Sequence, residues 1–265
     1  MNVEASTEVV LHEVRDGVAL LTLNRPDRLN AWTPPMEARY FGLLETCAED
    51  PAVRVIVVTG AGKGFCAGVD MDALQDIGAG GTFAHSGKPQ TFPLTIPKPI
   101  VAAINGACAG LGLVQALMCD LRFAAAGAKF TTAFVRRGLV AEHGSSWILP
   151  RLVGPARALD LLLSGRIVLA DEALDLGLVN RVVEPAVLLS TVMGYAEDLA
   201  ANCSPAAMAA IKHQVYRHCE LDLASALRES NELMMASLKR ADFKEGVASF
   251  VERRAPRFEA LGTRK

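Results

Sequence analysis

One pattern occurs twice in this chain. Residues 55–60 (VIVVTG) and 100–106 (IVAAING) are each an apolar run, rich in β-branched residues, that ends in glycine. Each is followed by a short linker, an Ala-Gly pair (Ala67-Gly68 and Ala109-Gly110) and an apolar helical stretch. Short apolar runs bounded by turn residues read as buried strands, and strands that alternate with helices point to an α/β fold. Asp70 is placed to cap the helix of the first copy, and the second Ala-Gly pair stands at a helix start.

The glycine-rich loop after the first strand raises two phosphate-binding readings. A Walker loop would need Gly at 57 and Ser or Thr at 64, where the chain has Val57 and Gly64, so that reading fails. Gly62-Lys63-Gly64-Phe65-Cys66-Ala67 does fit the dinucleotide fingerprint, but that fingerprint requires an acid about twenty residues on. No Asp or Glu occurs from Ile77 through Cys119. Nicotinamide binding is therefore set aside.

The remaining organisation follows the same logic. Residues 9–14 and 18–24 flank Asp16-Gly17 as a hairpin, and Thr33-Pro34 opens an amphipathic helix that reaches about Asp50. Residues 78–97 are rich in Gly and Pro and free of acids, which suggests a mobile loop over a substrate. Residues 120–125 add a strand. From Gly154 onward the pattern is helical, at 155–165, 170–180 with Gly177 as a C-cap, and then at about 185–201, 205–219, 221–240 and 243–254.

A chain of 265 residues with 51% hydrophobic and 21% charged residues can bury a sizeable core. Its net charge of −2 gives no electrostatic case for nucleic acid. Six cysteines without CxxC spacing and an N-terminus without a signal core suggest a reduced, cytoplasmic protein. Histidines without metal-ligand spacing give no case for a metal site. Residues 100–119 are uncharged, but Asn105-Gly106 breaks them in the middle and Gln115 would sit in lipid, so no membrane span is expected.

Backbone N–H groups at strand-to-helix turns are free donors, and small residues let a substrate oxygen approach them. Two such turns facing each other, at Ala67-Gly68 and Gly110-Leu111, would form an oxyanion hole, with a helix N-terminus strengthening the second donor. Glycines that serve only tight packing would give the same pattern.

Several segments together resemble the enoyl-CoA hydratase/isomerase (crotonase) superfamily over nearly the full length. They are residues 23–31 (LNRPDRLNA), 60–71 (GAGKGFCAGVDM), 98–120 (KPIVAAINGACAGLGLVQALMCD), 128–130 (AKF), 149–154 (LPRLVG) and 170–183 (ADEALDLGLVNRVV). The resemblance implies an α/β, crotonase-like spiral of ββα units. It also implies an acyl-CoA-binding core over residues 1–200 and a C-terminal helical trimerisation region over 201–265, giving a homotrimer or a hexamer made of two trimers. An acyl-CoA thioester would be the substrate, with coenzyme A part of that substrate and no separate cofactor. Ala67 and Leu111 would supply the oxyanion-hole amides. Arg28, Lys63, Phe65, Arg253 and Arg254 would contact CoA.

The same resemblance identifies two departures. The positions of the two hydratase glutamates read Val114 and Phe134, and neither can activate water or deliver a proton. Glu142, in residues 138–144 (GLVAEHG), stands where isomerase-like members place a single aspartate. One carboxylate suffices to shift a double bond, and an apolar surround from Val114, Phe134 and Trp147 would suit that proton shuttle. His143 is the second catalytic candidate, and His85 lies in the 78–97 loop. The leading expectation is an isomerase acting through Glu142. The alternatives are a hydratase using Glu142 and His143, and a non-enzymatic acyl-CoA binder.

Overall fold

The computed structural model describes residues 8–82 and 85–262, and in it the two sequence repeats are two ββα units. Ahead of them lie the antiparallel hairpin β1 (Val10–Arg15) and β2 (Val18–Leu23) and the helix α1 (Pro34–Glu49). Asp16 and Gly17 close the hairpin at φ 50° and 80°, the left-handed pair that a two-residue turn requires. Thr33 caps α1 by accepting the Met36 N–H at 3.4 Å.

The first repeat is β3 (Val55–Gly60), β4 (Gly64–Cys66) and α2 (Met71–Gly78), and the second is β5 (Ile100–Ile104), β6 (Ala107–Ala109) and α3 (Leu111–Leu117). A third strand pair, β7 (Leu121–Ala125) and β8 (Lys129–Thr131), precedes α4 (Ser145–Val153) and α5 (Pro155–Ser164). Then follow β9 (Val168–Leu169), α6 (Ala170–Leu176), β10 (Arg181–Val183), α7 (Leu188–Asn202), α8 (Pro205–His218), α9 (Leu223–Ser237) and α10 (Ala241–Glu252).

Each repeat adds one strand to each of two sheets. One sheet has the order β1-β2-β3-β5-β7-β10 and is parallel from β2 onward; the other has the order β4-β6-β8-β9. The chain thus advances as a spiral. Parallel strands are covered on both faces, which is why β3 and β5 are buried at every position. Ile56, Val58, Ile100 and Ala102 face the main core, whereas Val55, Val57, Val101 and Ala103 face α7. That helix answers with Leu188, Val192, Ala196 and Ala200, spaced four apart on one side.

Asp120 accepts the Ile100 N–H at 2.7 Å and also holds α8, through Lys212 at 2.7 Å and Tyr216 at 2.9 Å. Helices α8 to α10 leave large apolar side chains exposed, with Leu223 at 84% and Phe250 at 85%. Among the described residues no helix is long and apolar enough to cross a membrane.

Candidate active site

The turns after β4 and β6 meet because neither carries a side chain at the crossing point. Gly68 has φ 97°, and a Cβ there would lie 3.0 Å from the Ala109 carbonyl oxygen. Gly110 adopts φ 50° and ψ −122°, a conformation open to glycine. A third segment, residues 25–32, is held against them. Asn30 is fully buried, donates to the carbonyls of Ala61 and Gly64 at 2.9 and 2.8 Å, and accepts the Arg25 N–H at 2.8 Å.

These segments line a cavity of about 330 Å³ together with Thr132, Phe134, Arg137, Leu139 and Glu142. Arg28, Ala67, Leu111, Phe134 and Glu142, separated by up to 114 positions in sequence, come together there. Its walls are largely apolar, with Val69, Met71, Leu74, Leu111, Phe134 and Leu139 contributing.

The backbone donors differ from the sequence expectation at one position. The Ala67 N–H donates to the Leu29 carbonyl at 3.0 Å and is therefore engaged. Two residues on, the Trp32 N–H donates to Gly68 O at 2.7 Å and the Asp70 N–H donates to Trp32 O at 3.0 Å. In such a parallel bridge the residue between, Val69, turns its own N–H away from Trp32. Among the described residues, the amides of Val69 and Leu111 donate to no protein acceptor. Leu111 is the first residue of α3, where no intrahelical acceptor exists.

Two carboxylates line the cavity, and they have different surroundings. Asp70 receives the Arg25 guanidinium at 2.9 Å and the Asp72 N–H at 3.1 Å, the capping position the sequence suggested. Burial pushes its carboxyl up, but these bonds outweigh burial and hold it below the usual range. Glu142 is partly buried, and its titratable neighbour is His143, whose Nε2 lies 3.7 Å from Glu142 Oε2. His143 stands at φ 55° just before Gly144 at φ 81°, and burial pushes its imidazole pKa down. Cys66 abuts the site, but burial raises its thiol to about 12, so it stays protonated and is no nucleophile.

Other expected contacts fall elsewhere. Phe65 is fully buried in the core and offers no surface to CoA. Lys63 is exposed on the turn between β3 and β4 and does not line the cavity. Arg253 and Arg254 lie beyond α10, and Arg254 is engaged by Glu245 and Glu252. Val114 is buried in the core, and Trp147 stacks on the Arg151 guanidinium at 3.9 Å; neither lines the cavity. The 78–97 stretch is anchored rather than free in its second half, because Glu37 binds Ser86 and Gln90.

Glu37 escaped the sequence reading. The signal was present: it is an acid three and four positions before the core residues Tyr40 and Phe41, hence on the buried face of α1. Among the described residues, no group of His, Cys, Asp and Glu could hold a metal ion.

Residues 13–261 match the family model described as enoyl-CoA hydratase/isomerase. The chain belongs to this family. A 1,2-epoxyphenylacetyl-CoA isomerase from Escherichia coli K12 is 35% identical over 259 residues, 95% of this chain and 98% of the relative. A probable enoyl-CoA hydratase from Rhizobium meliloti 1021 is 38% identical over 96% of this chain and 99% of its own length. The crystal structure of an enoyl-CoA hydratase from Mycobacterium tuberculosis H37Rv superposes with a TM-score of 0.89 at 32% identity, covering 96% of this chain and all of that one. Relatives named isomerase and relatives named hydratase thus both match nearly the whole length.

Proposed function

We propose that this family member shifts the double bond of an enoyl-CoA thioester, with Glu142 as the proton carrier and the Val69 and Leu111 amides as the oxyanion hole. The observation that carries the reading is the inequality of the two cavity carboxylates. Asp70 is tied to Arg25 and to its own helix, whereas Glu142 has no arginine or lysine partner among the described residues.

The chemistry follows from those groups. With a 3-enoyl thioester in the cavity, the Glu142 carboxylate takes a proton from C2, and the electron pair left behind delocalises onto the thioester oxygen. The two amides stabilise that charge, each donor being worth roughly 3 kcal/mol in a water-poor site. The Glu142 acid then returns the proton to C4, leaving the double bond between C2 and C3. Apolar walls at Phe134, Leu74 and Leu139 disfavour the entry of water. Phe134, at a position where the resemblance puts a hydratase glutamate, supports isomerisation over hydration.

Arg28 at the cavity rim suits a CoA phosphate, and Lys63, Arg253 and Arg254 would reach CoA only outside the cavity or in an assembly. The exposed apolar residues of α8 to α10 suit packing into a trimer or a dimer of trimers. A second reading, hydration, draws support from the approach of His143 to Glu142, which would provide two proton-handling groups.

The test is turnover of a 3-enoyl-CoA and a 2-enoyl-CoA by the wild type and by Glu142→Gln. Isomerisation that falls 10²-fold to 10⁴-fold in the variant, with CoA-thioester affinity retained, is the expected result. Hydration without isomerisation would put the second reading in its place. Tight binding with neither reaction would leave a binder of acyl-CoA.

A further inference from the structure

Glu37 is a carboxylate with no exposed side-chain surface, and it pairs with no lysine or arginine among the described residues. A buried charge is costly unless its lone pairs are filled. Here Oε2 accepts from Trp32 Nε1 at 3.2 Å and from Gln90 Nε2 at 2.5 Å, and Oε1 accepts the Ser86 N–H at 2.8 Å. These bonds outweigh burial, which pushes the carboxyl up, and hold it below the usual carboxylate range. His85 lies against it, with Nδ1 3.5 Å from Oε1. Gln90 is itself buried and accepts from Gln115 of α3 at 2.7 Å, so the anchored segment is tied to the core from two sides.

That segment touches the catalytic turn. A Cβ on Gly144 would lie 2.9 Å from the Thr91 methyl, so the turn that carries Glu142 and His143 packs directly on the residue after Gln90. His143 has Glu142 3.7 Å away on one side, and the charges of His85 and Glu37 also reach it. Burial pushes its imidazole down, Glu142 pushes it up, His85 pushes it down and Glu37 pushes it up. The other charges nearby are engaged or belong to the cavity. Lys88 pairs with Glu45 of α1, Asp70 pairs with Arg25, and Arg28 and Arg137 share the cavity with Glu142.

We propose that Glu37 and His85 are positioning residues for the Glu142–His143 pair: the buried carboxylate docks residues 85–91 under the catalytic turn, and His85, held against it, sets with it the field at His143. Docking of this segment and the acid–base state of the site are then one property. The electrostatic part stands whatever reaction the site performs; its effect on turnover rests on the reading of Glu142 as proton carrier.

The experiment is an NMR titration of the histidine side chains in the full chain without ligand, for wild type, Glu37→Gln and His85→Gln, with His143→Asn to assign the His143 signal. Removing the anion lowers the His143 pKa, and removing His85 raises it by at least as much. Opposite shifts are the signature, since a purely structural loss has no reason to change sign between the two variants. An unmoved His143 in both, or shifts of the same sign, overturns the proposal. Should Glu37→Gln fail to fold, His85→Gln decides alone, because His85 is half-exposed and its loss leaves the core intact; an unchanged titration there is fatal. Where the protein isomerises enoyl-CoA, the pH profile of kcat/KM moves in the same two directions. Opposite shifts in a protein that turns over no enoyl-CoA would defeat the isomerase reading and leave this one standing.

Discussion

The amide of Ala67 donates to the carbonyl of Leu29 at 3.0 Å, and because of this one bond the oxyanion hole proposed above takes its first donor two residues along the chain, at Val69. The bridge between Trp32 and Val69 turns the Val69 N–H away from its strand neighbour and leaves it without a protein acceptor among the described residues.

Backbone ester substitution separates these two amides, because it replaces one N–H by oxygen and leaves the side chain in place. At Val69 the expected result is a 10²-fold to 10³-fold fall in kcat. At Ala67 the expected result is a stability loss of about 1 kcal/mol with kcat within a few-fold of wild type. The reverse ranking would restore Ala67 as the donor.

Phe65 tests whether burial or proximity in sequence decides a CoA contact. Its ring is fully buried beneath the glycine-rich loop. Phe65→Ala is expected to cost about 4 kcal/mol in urea unfolding. The Kd for a CoA thioester, measured on protein shown to be folded, should stay unchanged; a tenfold rise would show that the ring does meet the ligand.

Most of the framework could be read in the sequence because its signals are local. The twin runs at 55–60 and 100–106, the Asp16-Gly17 hairpin, the Thr33 cap and the Gly177 stop each depend on residues a few positions apart, and each forms as expected. What escaped is set by distant partners. Val168–Leu169 is too short to show a period, and α4 follows two left-handed residues and contains Pro150, which argues against a helix until its packing is seen. In the site, Glu142, Leu111 and Arg28 could be named, but the choice between Ala67 and Val69 depends on residues 29–32. The acid-free loop at 78–97 finds its acid in Glu37, 49 positions before Ser86.

Asp120 links the sheet to the C-terminal helices through the nearly buried Lys212, whose side chain is 7% exposed. Asp120→Asn leaves that ammonium without its counter-charge and is expected to cost about 3 kcal/mol. Adding Lys212→Met should recover much of the loss, since the orphaned charge is then gone. Urea unfolding of the three proteins checks this. A loss below 1 kcal/mol in the single variant would mean that other contacts hold α8.

His143 gives the fold a pH dependence whose direction is fixed by its burial. The folded protein holds this imidazole below the ordinary value of 6.5, so as pH falls the unfolded chain binds the proton first. The stability that His143 contributes is therefore full above about pH 6.5, is lost as pH falls through that value, and levels off below the folded pKa. His143→Asn keeps a residue that tolerates the left-handed turn but removes the titration. Unfolding midpoints measured from pH 8 to pH 5 should coincide in slope above neutrality, with the wild type losing more than the variant below it. Parallel curves throughout would mean that the folded state leaves the imidazole at its ordinary value, and that the charges converging on this turn cancel.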